Sequence, residues 1–268
     1  MNINELKSEL EEADIRLIPH ISHSIQENHK RVVVISNHTD VGVLPIHYVA
    51  HFLQCGLVEL WIRYGTGNKS RFLPIHHFAE SLGQKLSSVI LKAHILTGCD
   101  VTSKVGTKLG ALNCNPKFYL TDFGVEDKLS SEMARRAEEY LVHVWSARSK
   151  PKEKDFDSLR YSNYVSKKTT LIDLPPTSSS IFGHLERCHY VIRQYISLLD
   201  GHFYGNPCHY GWLEESGVLV PDKRFSPLFK FYTVRCGCKK KCANQCSCVR
   251  EDVECTEFCN CSKSCENS

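Results

Sequence analysis

The chain has 268 residues, 42% of them apolar, and a formal charge of +3. That length suits about two domains, and so mild a charge excludes a global attraction to nucleic acid, so any basic surface must be local. No apolar run approaches the ~18 residues of a membrane span, and the opening MNINELKSELEEAD is polar and acidic where a secretory leader is basic and then apolar. The expectation is an intracellular protein with no membrane and no small-molecule cofactor. A reducing compartment does not sustain a disulfide framework, so the 14 cysteines need another explanation. Five are scattered, at Cys55, Cys99, Cys114, Cys188 and Cys208, and the others crowd between Cys236 and Cys265.

In chain order, apolar residues from Leu6 to Ile25 recur with a helical period and predict an amphipathic helix over 3–27, bent or interrupted at Pro19. Glu12 and Asp14 flank Ala13 on it, as a solvated helix surface or as part of a site. Arg31 to Leu44 follows, RVVVISNHTDVGVL, in which Val32–Ile35 predicts a fully buried strand of an α/β sheet. Ser36 to Asp40 then lies at the carboxyl end of that strand, where open α/β sheets collect their chemistry. A helix is predicted from Pro45 to Gly56, and its His47 and His51 lie one turn apart, with no third metal ligand nearby in sequence. Leu57 to His76 reads as two strands around Gly65-Thr66-Gly67-Asn68, a hairpin signal.

Two helical stretches follow from Ile75, the first stopped by Gly83 and the second ending in LTGCDVTS around Asp100. The next stretch, with Lys104 and Lys108 alternating with Gly106 and Gly110, is either a surface turn before a helix or a place where backbone amides and lysines meet phosphate. A helix over Leu129–Trp145 closes a domain spanning residues 1–148. Residues 149–230, with the charged SARSKPKEKDF, Pro175-Pro176 and one amphipathic helix after the prolines, read as a connector. Residues 231–268 form a cysteine-rich tail.

The tail has the spacing Cys-x-Cys-x3-Cys-x3-Cys-x-Cys-x6-Cys-x3-Cys-x-Cys-x3-Cys, through Cys236, Cys238, Cys242, Cys246, Cys248, Cys255, Cys259, Cys261 and Cys265. Separate tetrahedral zinc sites use cysteines in fours, which nine does not satisfy. Six terminal and three bridging thiolates would supply the twelve sulfur bonds of about three zincs. The formal charge of such a cluster is −3, which Lys239, Lys240, Lys241 and Arg250 can offset. So short a segment, poor in apolar residues, draws its folding free energy from metal. The arrangement resembles the tesmin-type CXC domain and, in metal stoichiometry, the cysteine-rich pre-SET region. That resemblance implies DNA binding, to which Lys239, Lys240 and Lys241 would contribute, or a structural or docking role.

Glu12-Ala13-Asp14, the strand leading to Asp40, and LTGCD before a glycine turn together resemble the flap-endonuclease-like branch of the PIN nuclease superfamily. ADIRLIPH, LWIRYGTGNKSRFLPIH, LTGCDVTSK, LRYSNY, LPPT and the cysteine tail are similar to transposable-element-derived proteins that join such a domain to a CXC tail. The resemblance implies an α/β domain with a mostly parallel central sheet and flanking helices, then a helical connector and a small irregular zinc-cluster tail. It also implies that Glu12, Asp14, Asp40 and Asp100 bind magnesium or manganese for phosphodiester hydrolysis. Lys104 and Lys108 would lie against the nucleic acid, and the protein would be nuclear. Two departures bear on activity. His38 stands where the family has an acid, and imidazole is a poor magnesium ligand. Further acids of the family would precede Met1, so the domain is expected to be incomplete. The two functional readings are a nuclease-like protein with impaired catalysis whose tail binds DNA, and a non-catalytic DNA- or chromatin-binding protein in which the acidic domain is a scaffold.

Overall fold

The computed structural model describes residues 13–38, 40–146, 151–166, 173–200, 203, 205–223, 234–239, 242–255, 259–261, 265 and 267. The chain divides into two compact units, one of Met1–Lys152 with Phe182–Asp222 and one of Glu153–Ile181 with Lys223–Ser268. Among the described residues, no helix is long and apolar enough to cross a membrane.

The first unit is built on a mixed three-stranded sheet. Strands β1 (Arg31–Ile35), β2 (Glu59–Tyr64) and β3 (Arg71–Pro74) lie in that order. β1 runs parallel to β2 with Ile35 opposite Arg63, and β2 runs antiparallel to β3 with Tyr64 opposite Arg71. The hairpin expected around Gly65 is therefore present, but the sheet holds one parallel and one antiparallel pair where a mostly parallel sheet was expected. β1 also differs from a fully buried strand. Val34 is buried, whereas Val33 is 50% and Ile35 65% exposed. Among the described residues β1 pairs only with β2, so it is an edge strand. Paired residues share a face, and the face of Val34, Leu60 and Ile62 is buried while that of Val33, Ile35 and Phe72 is open.

Helix α1 (Ala13–Gln26) continues through Pro19, held by its buried stripe of Ile15, Ile18, Ile21 and Ile25. Helix α2 (Asp40–Gln54) starts five residues before the expected Pro45. Val41 and Leu44 are buried with Tyr48, Val49 and Phe52. Burial of that stripe outweighs the backbone hydrogen bond lost at Pro45. Asp40 consequently sits in the first turn of α2, where the helix dipole favours a carboxylate. Helices α3 (Ile75–Leu82) and α4 (Gln84–Leu96) follow, and both pack on α2.

Short helices α5 (Lys108–Asn113) and α6 (Pro116–Leu120) precede α7 (Ser131–Trp145), where Ser130 Oγ accepts the Met133 N–H as an N-cap. Pro116 at the first position of α6 signals that helix in the sequence. Strands β4 (Trp212–Glu215) and β5 (Val218–Pro221) make a hairpin that was not expected. Its turn residues Ser216 and Gly217 both have positive φ, as a two-residue type I′ turn requires.

The second unit contains helix α8 (Phe156–Val165), which was also not expected. Asp155 caps it, with Oδ1 accepting the Ser158 N–H at 2.7 Å. Ser178, the first residue of helix α9 (Ser178–Ile196), exchanges two hydrogen bonds with Asp157: its Oγ accepts the Asp157 N–H and its own N–H donates to Asp157 Oδ1. Among the described residues the cysteine-rich segment carries one short helix, α10 (Ser247–Arg250). Its buried residues are Cys236, Cys246, Cys248, Val253, Cys255 and Cys265, so sulfur takes the place of a hydrocarbon core.

Candidate metal centre

In the first unit, the acids anticipated from the sequence come from three separate segments and meet at one edge. Asp14 is in the first turn of α1, Asp40 opens α2, and Asp100 follows α4. Burial raises the Asp14 carboxyl above the usual range; His38 opposes that shift, and the negative charges of Asp40 and Asp100 add to it. These groups therefore feel one another through space. Glu12 lies outside the described residues.

Local hydrogen bonds fix the tip that carries His38 and Asp40. Ser36 Oγ accepts the His38 N–H at 3.1 Å, and Asn37 Oδ1 accepts the Gly65 N–H at 2.8 Å. Tyr64 Oη donates to the His38 carbonyl at 2.9 Å. Gly42 makes room for that phenol, since a Cβ there would meet it at 2.9 Å. Burial and the charges of Asp40 and Asp14 push the Tyr64 hydroxyl up. His94 Nε2, on α4, lies 2.9 Å from Asp40 Oδ1. Neither Tyr64 nor His94 was singled out from the sequence, because only the fold brings β2 and α4 to the end of β1.

The Asp100 loop is equally constrained. Thr102 Oγ1 donates to the Ile95 carbonyl at 2.7 Å and accepts the Cys99 N–H at 3.1 Å. Gly98 has φ +103°, and a Cβ there would come within 2.6 Å of Lys104 Cα. Lys104 follows this loop and is exposed, and Lys108 is the first residue of α5. The third-ligand question at His47 and His51 also changes in the fold, where His76, His77 and Glu80 line the same groove. Their donor atoms do not converge, however. Among the described residues, every group of three or more His, Cys, Asp or Glu ligand atoms lying within 4.8 Å of one another consists of cysteines. Asp14, Asp40 and Asp100 are neighbours without closing a cage around a cation.

The cysteines do converge. Three overlapping groups form: Cys236, Cys248, Cys255 and Cys259; Cys236, Cys242, Cys246 and Cys255; and Cys242, Cys255, Cys261 and Cys265. Cys238 completes the set, its thiol meeting Cys236, Cys242 and Cys246. The sulfurs of Cys236, Cys242 and Cys255 form a triangle with edges of 3.6, 3.9 and 3.6 Å, and Cys248 and Cys259 lie 3.5 Å apart. With Zn–S bonds of about 2.3 Å, two sulfurs on one tetrahedral zinc are roughly 3.8 Å apart. All of these cysteines are free thiols, and their spacing fits shared metal.

The backbone favours the thiolate at two of these positions, Cys246 and Cys265, whereas burial raises Cys238, Cys242, Cys248, Cys255 and Cys261. Burial works against the Cys246 anion, but the N–H groups of Val249 and Cys248 hold it, and its thiol is pulled down to about 6. The Asn267 N–H donates to Cys265 Sγ at 3.4 Å and lowers that thiol, while Asn267 Nδ2 donates to Cys255 Sγ at 3.3 Å. The cysteine segment could thus hold metal, and zinc suits its all-sulfur donors. Lys239 is exposed beside it, whereas Lys240 and Lys241 lie outside the described residues. No family model, curated protein or solved structure matches this chain.

Proposed function

We propose that this is a nucleic-acid-associated protein whose cysteine-rich unit folds on a three-zinc cluster and binds DNA, and whose α/β unit carries the remnant of a two-metal nuclease site. The observation that supports this reading most directly is the way the three groups of sulfurs interlock. Cys236 and Cys255 with Cys248 and Cys259 would hold one zinc, Cys236 and Cys242 with Cys238 and Cys246 a second, and Cys242 and Cys255 with Cys261 and Cys265 the third. The three shared residues are those of the central sulfur triangle. Each would bridge two metals, and the other six would be terminal.

The resemblance to a transposable-element-derived protein with a PIN-like domain and a CXC tail gives the cluster its DNA partner and a nuclear location. Lys239, Lys240 and Lys241 would contact the backbone, with Lys104 and Lys108 as contacts of the α/β unit. Asp14, Asp40 and Asp100 keep the neighbourhood expected of a magnesium or manganese site, with Glu12 the remaining member of the expected set. The described donors do not close on a cation, Asp40 is paired with His94, and His38 replaces an acid, so impaired hydrolysis is the reading they favour. A non-catalytic scaffold is the second reading, favoured by the same His94 contact.

Elemental analysis tests the cluster: about three zincs per chain are expected, and a value near two would refute shared sulfurs. Flap and single-stranded DNA incubated with the protein in magnesium or manganese test the acidic edge. Weak cleavage abolished by Asp100→Ala supports the remnant nuclease, and none at all supports the scaffold. Binding of duplex DNA that survives complete zinc removal would take the tail out of that role.

A further inference from the structure

Arg235 immediately precedes the first cysteine of the cluster, and its side chain is directed to a helix remote in sequence. The guanidinium lies 4.9 Å from the ring centroid of Tyr164, near the end of α8. Tyr164 itself is only 9% exposed, whereas Arg235 is exposed. Burial raises the Tyr164 hydroxyl, Arg235 opposes that shift, and Cys259 and Cys248 add to it, so the arginine and these cysteines are all near the hydroxyl. Among the described residues Arg235 has neither a carboxylate partner nor a hydrogen bond to a cysteine sulfur. A guanidinium whose flat face is stacked on an aromatic ring keeps its N–H donors at the edge, in a fork that matches phosphate oxygens. Stacking also fixes the orientation of that fork before any ligand arrives. Tyr161, one turn earlier on α8, is 42% exposed and offers a second ring on the same helix.

We propose that Arg235, stacked on Tyr164, is a phosphate-contacting residue of the DNA surface of the cysteine-rich unit, and that this surface extends beyond Lys239–Lys241 onto helix α8. The inference rests on the DNA-binding reading above and adds a residue and an element to it. The competing role for Arg235 is as an internal counter-charge for the thiolates. Its exposure and, among the described residues, its lack of any bond to sulfur favour an outside partner.

Fluorescence anisotropy of the zinc-loaded full chain with a duplex DNA, measured over a series of salt concentrations, tests the proposal. Arg235→Gln is expected to weaken binding roughly tenfold and to reduce the salt slope by about 0.9. Arg235→Lys keeps the slope but still weakens binding, because the charge remains and the planar fork does not. Tyr164→Phe retains affinity, and Tyr164→Leu loses it with the zinc content intact. Unchanged affinity and slope in Arg235→Gln, when the unaltered protein binds, would overturn the proposal alone. Loss of zinc from Arg235→Gln would overturn it in favour of the counter-charge role. Weakened binding of an acidic peptide without weakened DNA binding would overturn it in favour of a protein partner. No DNA binding by the unaltered protein would remove the DNA-binding reading and this inference together.

Discussion

Gly98 and the buried histidines carry the sharpest consequences at the scale of single residues. Gly98 adopts φ +103° against the Lys104 backbone, so that the chain leaving α4 can turn and present Asp100. Gly98→Ala combines a disfavoured φ with a clash against backbone that cannot swing aside. It should lower stability by about 1–3 kcal/mol, read as a lower melting temperature. Burial pushes the imidazole of His184 down to about 4, even though its Nε2 lies 2.9 Å from the Leu96 carbonyl oxygen. Burial and the nearby Lys92 likewise push His47 down to about 4. Both values lie below the ordinary 6.5, so the unfolded chain takes up protons that the folded chain refuses. Stability contributed by the two neutral rings is full above about pH 6.5 and falls as pH drops towards 4, by up to about 3 kcal/mol each. Trp61, Trp145 and Trp212 all belong to the first unit, so urea unfolding followed by tryptophan fluorescence reports this unit without interference from the cysteines. The midpoint should fall between pH 7 and pH 5, and His184→Gln should flatten that dependence.

Among the secondary-structure elements, β1 was legible as a short continuous apolar run, though not its one-sided burial, and α4 and α7 were legible because their apolar residues carry a helical period and their ends carry signals such as Gly83 or a cap such as Ser130. The start of α2 was not. Pro45 is a good first helical residue, but only the fold shows that Val41 and Leu44 have a core to enter. α8 was missed although Asp155 and Ser158 form a readable cap, because Leu159 and Tyr164 are too few to show a period. That helix lies in the same unit as the cysteines, with Tyr164 next to Arg235, Cys248 and Cys259. Among the described residues the buried interior of the cysteine segment is sulfur with one valine, too little hydrocarbon to order the segment without metal. Chelation at neutral pH should therefore remove amide-exchange protection from α8 while α7 keeps its own. Protection of α8 that persists in the metal-free chain would contradict this dependence.

For the whole molecule, the proposed zinc cluster would make the nine cysteines unequal. A terminal cysteine serves one metal and a bridging one serves two. Cys259→Ser should reduce the zinc content by about one per chain and Cys255→Ser by about two, at equal protein recovery. Equal losses would show that Cys255 is not shared. The sequence alone marked nine closely spaced cysteines as a segment that could hold metal, because ligand count and spacing are local properties of the chain. It also placed Asp14 on a helix, Asp40 beyond a strand and Asp100 at the end of a helix, while their grouping as one site was implied only by the family resemblance. Only the tertiary structure decided which sulfurs meet, that Tyr64 and His94 hold the tip bearing His38 and Asp40, and that Arg235 stacks on Tyr164. These are contacts between distant segments, and their geometry depends on how helices and strands pack to bury apolar surface, which no local pattern encodes.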